Sequence, residues 1–302
     1  MIRYKFSKEV NQEFTETLNQ RVNAYFANNN ISKNANSIMI TKSVVAISMF
    51  IVPYIVMMAF PITNLVILFG MWAIMGFGKA FIGTSVMHDS IHGSYSKSRK
   101  VNWWMSISCG LIGADPTVWR IQHNVLHHSY TNIEDADEDI QPRYVMRFSP
   151  NQPRRWFHAY QFVYALFFYA ISTFVWIMYK DFPKIFGYKK RGLIKGKEFR
   201  NAVWLMVFRK TLYYIAFLVV PAIVMPFPFW ITFLMFLTMH VVTGTVLSLV
   251  FQSAHVMPNS TFIQQEEELI KHNWAVHQLY TTTNFGVNSK LLSWFIGCLL
   301  YT

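Results

Sequence analysis

The stretch that decides the fold reads IMITKSVVAISMFIVPYIVMMAF at residues 38–60 and, after Pro61, ITNLVILFGMWAIMGFGKAFIG at residues 62–83. Each run is about as long as the ~20 apolar residues that a helix needs to cross a bilayer. Pro61, Thr63 and Asn64 between them are typical of a tight turn. The stretch therefore predicts a hairpin of two membrane-spanning helices.

The composition of the whole 302-residue chain agrees with a membrane protein, since 53% of its residues are hydrophobic and 14% are charged. Soluble domains carry about 25% charged residues, and intrinsic disorder needs low hydrophobicity. Cys109 and Cys298 are too few for a disulfide framework or a cysteine-rich zinc module. The net charge of +12 comes without a nucleic-acid-binding motif, so we predict no nucleic-acid partner and assign the charge to membrane-protein loops.

Further apolar runs at residues 157–179, 211–225 and 229–251 complete the candidate spans. The basic residues of segments 84–156 and 180–200 indicate that both are cytoplasmic loops. If so, 157–179 cannot cross once and lies along the interface or re-enters. We predict an all-α integral membrane protein with four transmembrane helices as two hairpins, interfacial helices, a cytoplasmic histidine-rich cap and cytoplasmic termini. Five or more crossings is the alternative.

Residues 1–37 are polar and lack the apolar core of a signal peptide. Val10, Phe14, Leu18 and Val22 recur at every fourth position, which predicts a helix with one apolar stripe that lies on the membrane surface. We therefore divide the chain into a cytoplasmic amphipathic segment at 1–37 and a membrane-embedded unit at 38–302.

Two histidine motifs, His88-Asp-Ser-Ile-His92 and His123-Asn-Val-Leu-His127-His128, follow the first hairpin. Residues four apart share a helix face, so each motif offers two imidazoles to one ion. His128 lies roughly 100° round from His127 and can reach a second ion. Imidazole binds zinc, iron and copper, so the motifs predict a metal site. Interfacial histidines bonded to backbone or headgroups are the alternative. The HExxH pattern of zinc proteases is absent, because Asp89 stands where that pattern needs Glu.

Acidic residues near the motifs are candidates for orienting the histidines. Asp89 and Asp115 are predicted to accept the second N–H of a ligand imidazole. The acidic run at 134–139 has two interpretations of equal weight: a solvated loop, or carboxylates that support the ligands or pair with Arg143 and Arg147.

The motifs HDSIH and HNVLHH, with HSYTNIEDADEDI at 128–140, resemble the first two histidine boxes of the membrane fatty acid desaturases, most closely the acyl-CoA or front-end (linoleoyl-CoA, delta-6-like) branch. VFQSAHV at 250–256 and NWAVHQLYTTTNF at 273–285 extend the resemblance, which covers roughly residues 35–297. It implies a fatty acid desaturase domain at 38–302 in which two iron ions activate O2 and remove two hydrogens from an acyl chain. The implied iron ligands are His88, His92, His123, His127, His128 and His255, with no catalytic residue beyond them and no further cofactor-binding residue.

The resemblance also implies the partners: a fatty acyl substrate (acyl-CoA or acyl-lipid), the lipid bilayer and a separate electron donor such as cytochrome b5 or ferredoxin. Residues 1–37 contain no His-Pro-Gly-Gly haem motif. A histidine-box hydroxylase or ketolase is the alternative within this chemistry. A non-catalytic relic or a metal transporter is the alternative outside it, although a transporter would place histidines within the spans.

Three further expectations concern particular residues. An apolar tunnel for the acyl chain is predicted along Trp72, Phe77, Phe236 and Met239. His240 is predicted to form an interhelical hydrogen bond. The remaining histidines have no secure ligand role: His277 is a candidate neighbour of the site, and His158 and His272 are expected to be ordinary interfacial residues.

The family pattern includes a third box of the form QxxHH, which is not found where the sequence reads WFIG at 294–297 and then CLLYT at 298–302. We hypothesise that the domain is truncated before this box, lacks two ligands and is inactive, because ligand count and geometry set metal affinity. About two irons per chain together with activity would contradict this hypothesis.

Overall fold

The computed structural model describes residues 4–141, 145–264, 269–284 and 288–296. Apart from one short parallel strand pair, β1 (Lys5–Phe6) with β2 (Leu269–Ile270), the regular structure described is helical. In chain order the helices are α1 (Gln12–Asn28), α2 (Ser37–Ala59), α3 (Leu65–Ile91), α4 (Arg99–Ser106), α5 (Cys109–Ile112), α6 (Pro116–Arg120), α7 (Trp156–Lys190), α8 (Gly196–Val224), α9 (Phe229–His255), α10 (Trp274–Thr281) and α11 (Lys290–Ile296). The all-α prediction is confirmed.

Five of the described helices, α2, α3, α7, α8 and α9, are long and apolar enough to cross a membrane. They share a core of large apolar side chains in which Phe50, Trp72 and Phe236 are almost fully buried. The five candidates are one more than the four crossings expected from charge. The additional helix is α7, whose most apolar part is mainly directed away from the rest of the protein.

The predicted hairpin at residues 38–83 is confirmed. α2 ends at Ala59 and α3 begins at Leu65. The side chain of Asn64 accepts a hydrogen bond from the N–H of Ile67 at 3.2 Å. This N-cap satisfies a backbone donor that the first turn of a helix leaves without a partner, so the turn residues fix where the second helix starts.

Glycines allow the long helices to pack backbone to backbone. A Cβ atom added at Gly78 would lie 2.7 Å from the backbone nitrogen of Phe50 in α2. One added at Gly76 would lie 2.7 Å from the carbonyl oxygen of Met239 in α9, and one at Gly244 would lie 2.5 Å from that of Tyr169 in α7. Small residues at helix contacts are the usual means of close packing in membranes.

We expect Gly78→Ala to destabilise the protein by about 1–3 kcal/mol, since the new methyl group must push α2 from α3. Gly70→Ala is the matched control, because nothing lies within 4 Å of a Cβ at that position. There the better helix propensity of alanine should stabilise by up to about 1 kcal/mol. Thermal unfolding in detergent measures both, and equal melting temperatures for the two variants would contradict this packing.

Residues 180–200 do not form the long basic loop that was predicted. α7 continues to Lys190 and α8 already begins at Gly196, so the connection is short. The reason is a second apolar cluster outside the main core, to which these charged segments contribute side chains at helical spacing. Its members from this region are Ile185, Tyr188, Ile194, Phe199, Ala202 and Met206.

The amphipathic helix predicted near the N-terminus corresponds to α1. The stripe of Val10, Phe14, Leu18 and Val22 is between 40% and 46% exposed. The described part of the protein thus leaves the stripe uncovered, and its contact with a membrane surface stays a prediction.

Candidate metal centre

Both histidine motifs are associated with widened, π-helical turns. α3 passes through a π-helical turn at Ile82–Met87 immediately before His88. α6 continues into a π-helical turn at Ile121–His127 that carries most of the second motif. Turns of this kind occur often at functional sites.

The first motif has the predicted geometry, and the second departs from it. His88 and His92 lie one turn apart, with ring centroids 4.5 Å from each other. In the second motif the N–H of His128 donates to the carbonyl of His123 at 2.9 Å. This five-residue step brings the Nε2 atoms of His123 and His128 to 3.1 Å. The predicted pair of His123 and His127 is present as well, since their rings are stacked with centroids 5.2 Å apart.

The six predicted ligand histidines come together on one side of the helix bundle. Four of them, His88, His92, His123 and His128, place one ring nitrogen each within 4.8 Å of one another. His123 also belongs to a second such group with His127 and Asp139. His255, at the end of α9, lies with its ring centroid 4.5 Å from that of His127.

Carboxylates hold the rings in place. Nδ1 of His127 lies 3.0 Å from both oxygens of Asp137, which is fully buried. Nδ1 of His88 lies 3.2 Å from Asp89, as predicted. Asp139 approaches Nδ1 of His127 at 3.6 Å and that of His123 at 3.8 Å. Such partners fix the tautomer and orientation of a ligand imidazole, so two members of the acidic run support the site rather than forming a solvated loop.

The other acidic and basic predictions need correction. Asp115 contacts no histidine: it caps α6 by accepting from the N–H of Thr117 and pairs with Arg209 at 2.8 Å. Arg147 donates to the main-chain carbonyls of Pro150 and Gln152 instead of to an acid. Arg143 lies outside the described residues. The acid that pairs with basic groups is Glu138, which contacts Lys184, Tyr188 and Arg191.

The electrostatics of the site suit a cation. Burial, together with the neighbouring His88, lowers the pKa of His92 to about 3. Burial likewise lowers the pKa values of His123 and His128 well below the usual histidine value. Burial alone would also lower the pKa of His127, but Asp137 and Asp139 outweigh it and raise that pKa to about 9. The neutral imidazoles of His123 and His128, next to the carboxylates of Asp137 and Asp139, are a donor set that fits a divalent transition metal such as iron.

A cavity of about 460 Å³ adjoins the histidines and extends between α7 and α9. Its polar lining includes His123, His127, His255 and Asp139, and its apolar lining includes Phe168, Ile171, Val175, Trp176, Leu247 and Phe251. The four residues predicted to line a tunnel do not line this cavity. Trp72, Phe236 and Met239 are packed into the main core, while Phe77 is nearly half exposed. Periodicity within one helix does not show which apolar faces remain apart after packing.

His240 forms the interhelical hydrogen bonds that were predicted. Its Nε2 lies 3.1 Å from the hydroxyl of Tyr213 in α8, and its Nδ1 lies 3.1 Å from that of Thr173 in α7. Lys79 in α3 donates to the same Tyr213 hydroxyl at 2.6 Å. These side chains therefore join four long helices inside the bundle.

The remaining histidines lie outside the cluster. Nε2 of His277 lies 2.8 Å from the carbonyl oxygen of Thr131, next to the second motif, without joining either ligand group. Nδ1 of His158 accepts from the N–H of Arg155, and His272 is exposed. The sequence analysis expected the third-box pattern to fail at the C-terminal residues. Residues 297–302 lie outside those that the structure describes.

Asp137 and Asp139 could not be distinguished from the rest of the acidic run by sequence alone. The one signal in the sequence is that Asp137 and Asp139 lie close in the chain to His123 and His127. That signal does not show the left-handed residue Asn132 between them, which turns the chain. Asn132 itself was also missed.

Comparison with known families matches residues 62–301 to the family described as Fatty acid desaturase. The chain belongs to this family of oxidoreductases. It is 33% identical over 297 residues to the acyl-lipid (8-3)-desaturase of Physcomitrium patens, which covers 97% of this chain and 60% of the relative. It is 30% identical over 293 residues to the sn-1 linoleoyl-lipid 6-desaturase of Arthrospira platensis, covering 95% and 78%. The Delta(5) fatty acid desaturase A of Dictyostelium discoideum is 29% identical over 299 residues, covering 95% and 63%. No solved structure matches the chain at a significant level.

Proposed function

We propose that the protein is a membrane di-iron desaturase that introduces a double bond into a fatty acyl chain, using O2 and electrons from a separate donor protein. The observation that carries the proposal is that histidines of the cluster line a largely apolar cavity between two long helices. Family membership supplies the reaction class, and the three relatives are all named as acyl desaturases.

The proposed iron ligands are His88, His92, His123, His127, His128 and His255. Bound iron would supply the activation of O2 that removal of hydrogen from an unactivated methylene group requires. The chain's own residues hold the ligand set: Asp137 orients His127, Asp89 orients His88, and Asp139 adds negative charge beside two rings. His88, His123 and His127 are buried, which shields this part of the set from water.

The apolar walls of the cavity would bind the acyl chain. This would bring one methylene group of the chain near the histidines that line the cavity. Lys180 and Lys184 line the same cavity and lie where the carrier of the chain, CoA or a lipid headgroup, would be. The names of the moss and Arthrospira relatives support an acyl-lipid carrier.

For the topology, we propose four crossings, with α7 lying along the cytoplasmic interface. Near its start, Tyr164 donates to the carbonyl of Val145 at 2.9 Å, and near its end Lys184 pairs with Glu138 at 2.9 Å. Glu138 and Val145 are seven residues apart, at most about 24 Å in an extended chain. The hydrocarbon core is about 30 Å thick. Residues near both ends of α7 thus contact the same short segment, 138–145. This supports a helix that lies along the interface over one that crosses the membrane.

Filling the cavity should block the substrate without disturbing the metal centre. Ser248 lines the cavity, and its hydroxyl lies 3.2 Å from that of Ser172 across the α7–α9 contact. We expect Ser248→Phe to lower desaturation at least tenfold while iron binding is unchanged. Ser253→Phe is the matched control, because Ser253 is on the same helix, does not line the cavity and donates to the carbonyl of Leu249 one turn earlier. Equal product from both variants would show that the cavity does not hold the acyl chain.

The reaction is tested by producing the full chain in a host and measuring fatty acids by mass spectrometry. The proposal predicts a new fatty acid with two hydrogens fewer that disappears in His127→Ala. A product that gains oxygen would identify a hydroxylase instead. Iron-loaded protein with an unchanged fatty acid profile would contradict the desaturase reaction for this chain.

A further inference from the structure

Asn132 occupies a position whose conformation and burial are unusual for a polar residue. It follows the second histidine motif, is fully buried and has a φ of 55°. Asparagine adopts this left-handed conformation more readily than other non-glycine residues. A buried amide must also find hydrogen-bond partners, and here those partners come from three distant segments.

The side-chain nitrogen of Asn132 lies within donor distance of three carbonyl oxygens: that of His255 at 3.0 Å, and those of Thr261 and Thr281 at 3.3 Å. Its backbone N–H donates to Asp137 at 2.9 Å, the carboxylate that holds His127. A single residue thus contacts the backbone of one proposed ligand and the carboxylate partner of another.

Helix α10 docks on the same segment from the other side. His277 contacts the carbonyl of Thr131 at 2.8 Å, while Trp274 and Gln278 both donate to the carbonyl of His128, at 3.1 and 3.2 Å. The carbonyl of Thr281, at the end of α10, lies 3.4 Å from Nδ1 of His255. α10 therefore contacts both the second motif and His255, and the carbonyl of Thr281 at its end also accepts from Asn132.

We propose that Asn132 is a positioning residue of the metal centre, which fixes His255 at the end of α9 relative to His127 in the second motif. It contacts neither iron nor substrate and acts through His255 and Asp137. This inference rests on the proposed function, in that it takes the six histidines as iron ligands.

The geometry explains why such a residue is needed. His127 and His255 come from segments more than a hundred residues apart, yet their ring centroids lie 4.5 Å from each other. A metal site tolerates misplacement of only about 0.5 Å. The hydrogen bonds of Asn132 join these two segments directly, and loss of such outer partners costs about 10- to 100-fold in metal affinity.

The test is anaerobic titration of Fe²⁺ into purified full-length protein, with iron affinity and melting temperature measured for each variant. Asn132→Gly keeps the left-handed backbone and removes the amide; Asn132→Asp keeps size and conformation but replaces the donor by an acceptor. Both are expected to weaken iron binding about 10- to 100-fold. Ile133→Ala is the control: this neighbour is buried in a separate apolar cluster, so its truncation should lower the melting temperature and leave iron affinity unchanged.

The decisive comparison combines Asn132→Gly with His255→Ala. If Asn132 acts partly through His255, its effect on iron affinity becomes smaller when His255 is absent, since coupled residues are not additive. Fully additive effects, or wild-type affinity in both Asn132 variants, would overturn the inference. Failure of the wild-type chain to bind iron would instead overturn the proposed function, so the two failures are distinguishable.

Discussion

Replacing His123 by alanine is expected to abolish iron binding and desaturation together. His123 belongs to both groups of potential ligands, with His88, His92 and His128 on one side and with His127 and Asp139 on the other. Its loss therefore removes a donor from each group, and metal affinity depends on ligand number and geometry. We expect iron per chain, measured by elemental analysis of purified protein, to fall to background.

His272→Ala is the matched control, because His272 is exposed and outside both groups. It should retain the iron content and the product of the wild-type protein. Equal iron in the two variants would show that the cluster does not hold the metal. A loss of iron in both would indicate binding by exposed histidines at the protein surface.

The second large effect is expected at Asp137, for which Asp137→Asn should lower both stability and iron affinity. One oxygen of Asp137 accepts from the backbone N–H of Asn132 and the other from that of Asp139, each at 2.9 Å. Whichever way the asparagine amide turns, its NH2 group faces a backbone donor. A buried unsatisfied donor costs about 1–3 kcal/mol, and His127 loses its anionic partner, worth about 10- to 100-fold in metal affinity.

Asp135→Asn removes one negative charge from the same acidic run at an exposed position, and asparagine tolerates the left-handed conformation found there. It should leave the melting temperature and iron affinity at wild-type values. If Asp137→Asn behaved like Asp135→Asn in both measurements, the acidic run would be a solvated loop and not a support of the histidines.

The sequence predicted those parts of the molecule that depend on local patterns. The hairpin at residues 38–83 follows from hydrophobic length and from its turn residues, and the first histidine motif follows from α-helical periodicity. The contact of Asp89 with His88 needs only neighbours in the chain. The interhelical role of His240 follows from the cost of an unpaired polar group inside a span.

The parts that could not be predicted depend on packing or on departures from ideal helices. The π-helical turn that pairs His128 with His123 has no signature in the motif. The many charged residues of 180–200 favoured a loop in the sequence pattern. The apolar side chains between them pack together, so α7 extends to Lys190 and α8 begins at Gly196. The cavity is lined by side chains of both α7 and α9, so it forms only when the two helices pack against each other.

The most direct test of the proposed metal centre is X-ray absorption at the iron edge of the purified, iron-loaded protein. We expect iron to be bound mainly through imidazole nitrogens, with an absorption signal that is lost in His123→Ala and kept in His272→Ala. Iron absent from the wild-type protein, or iron without an imidazole contribution, would contradict the claim that the gathered histidines form its metal centre.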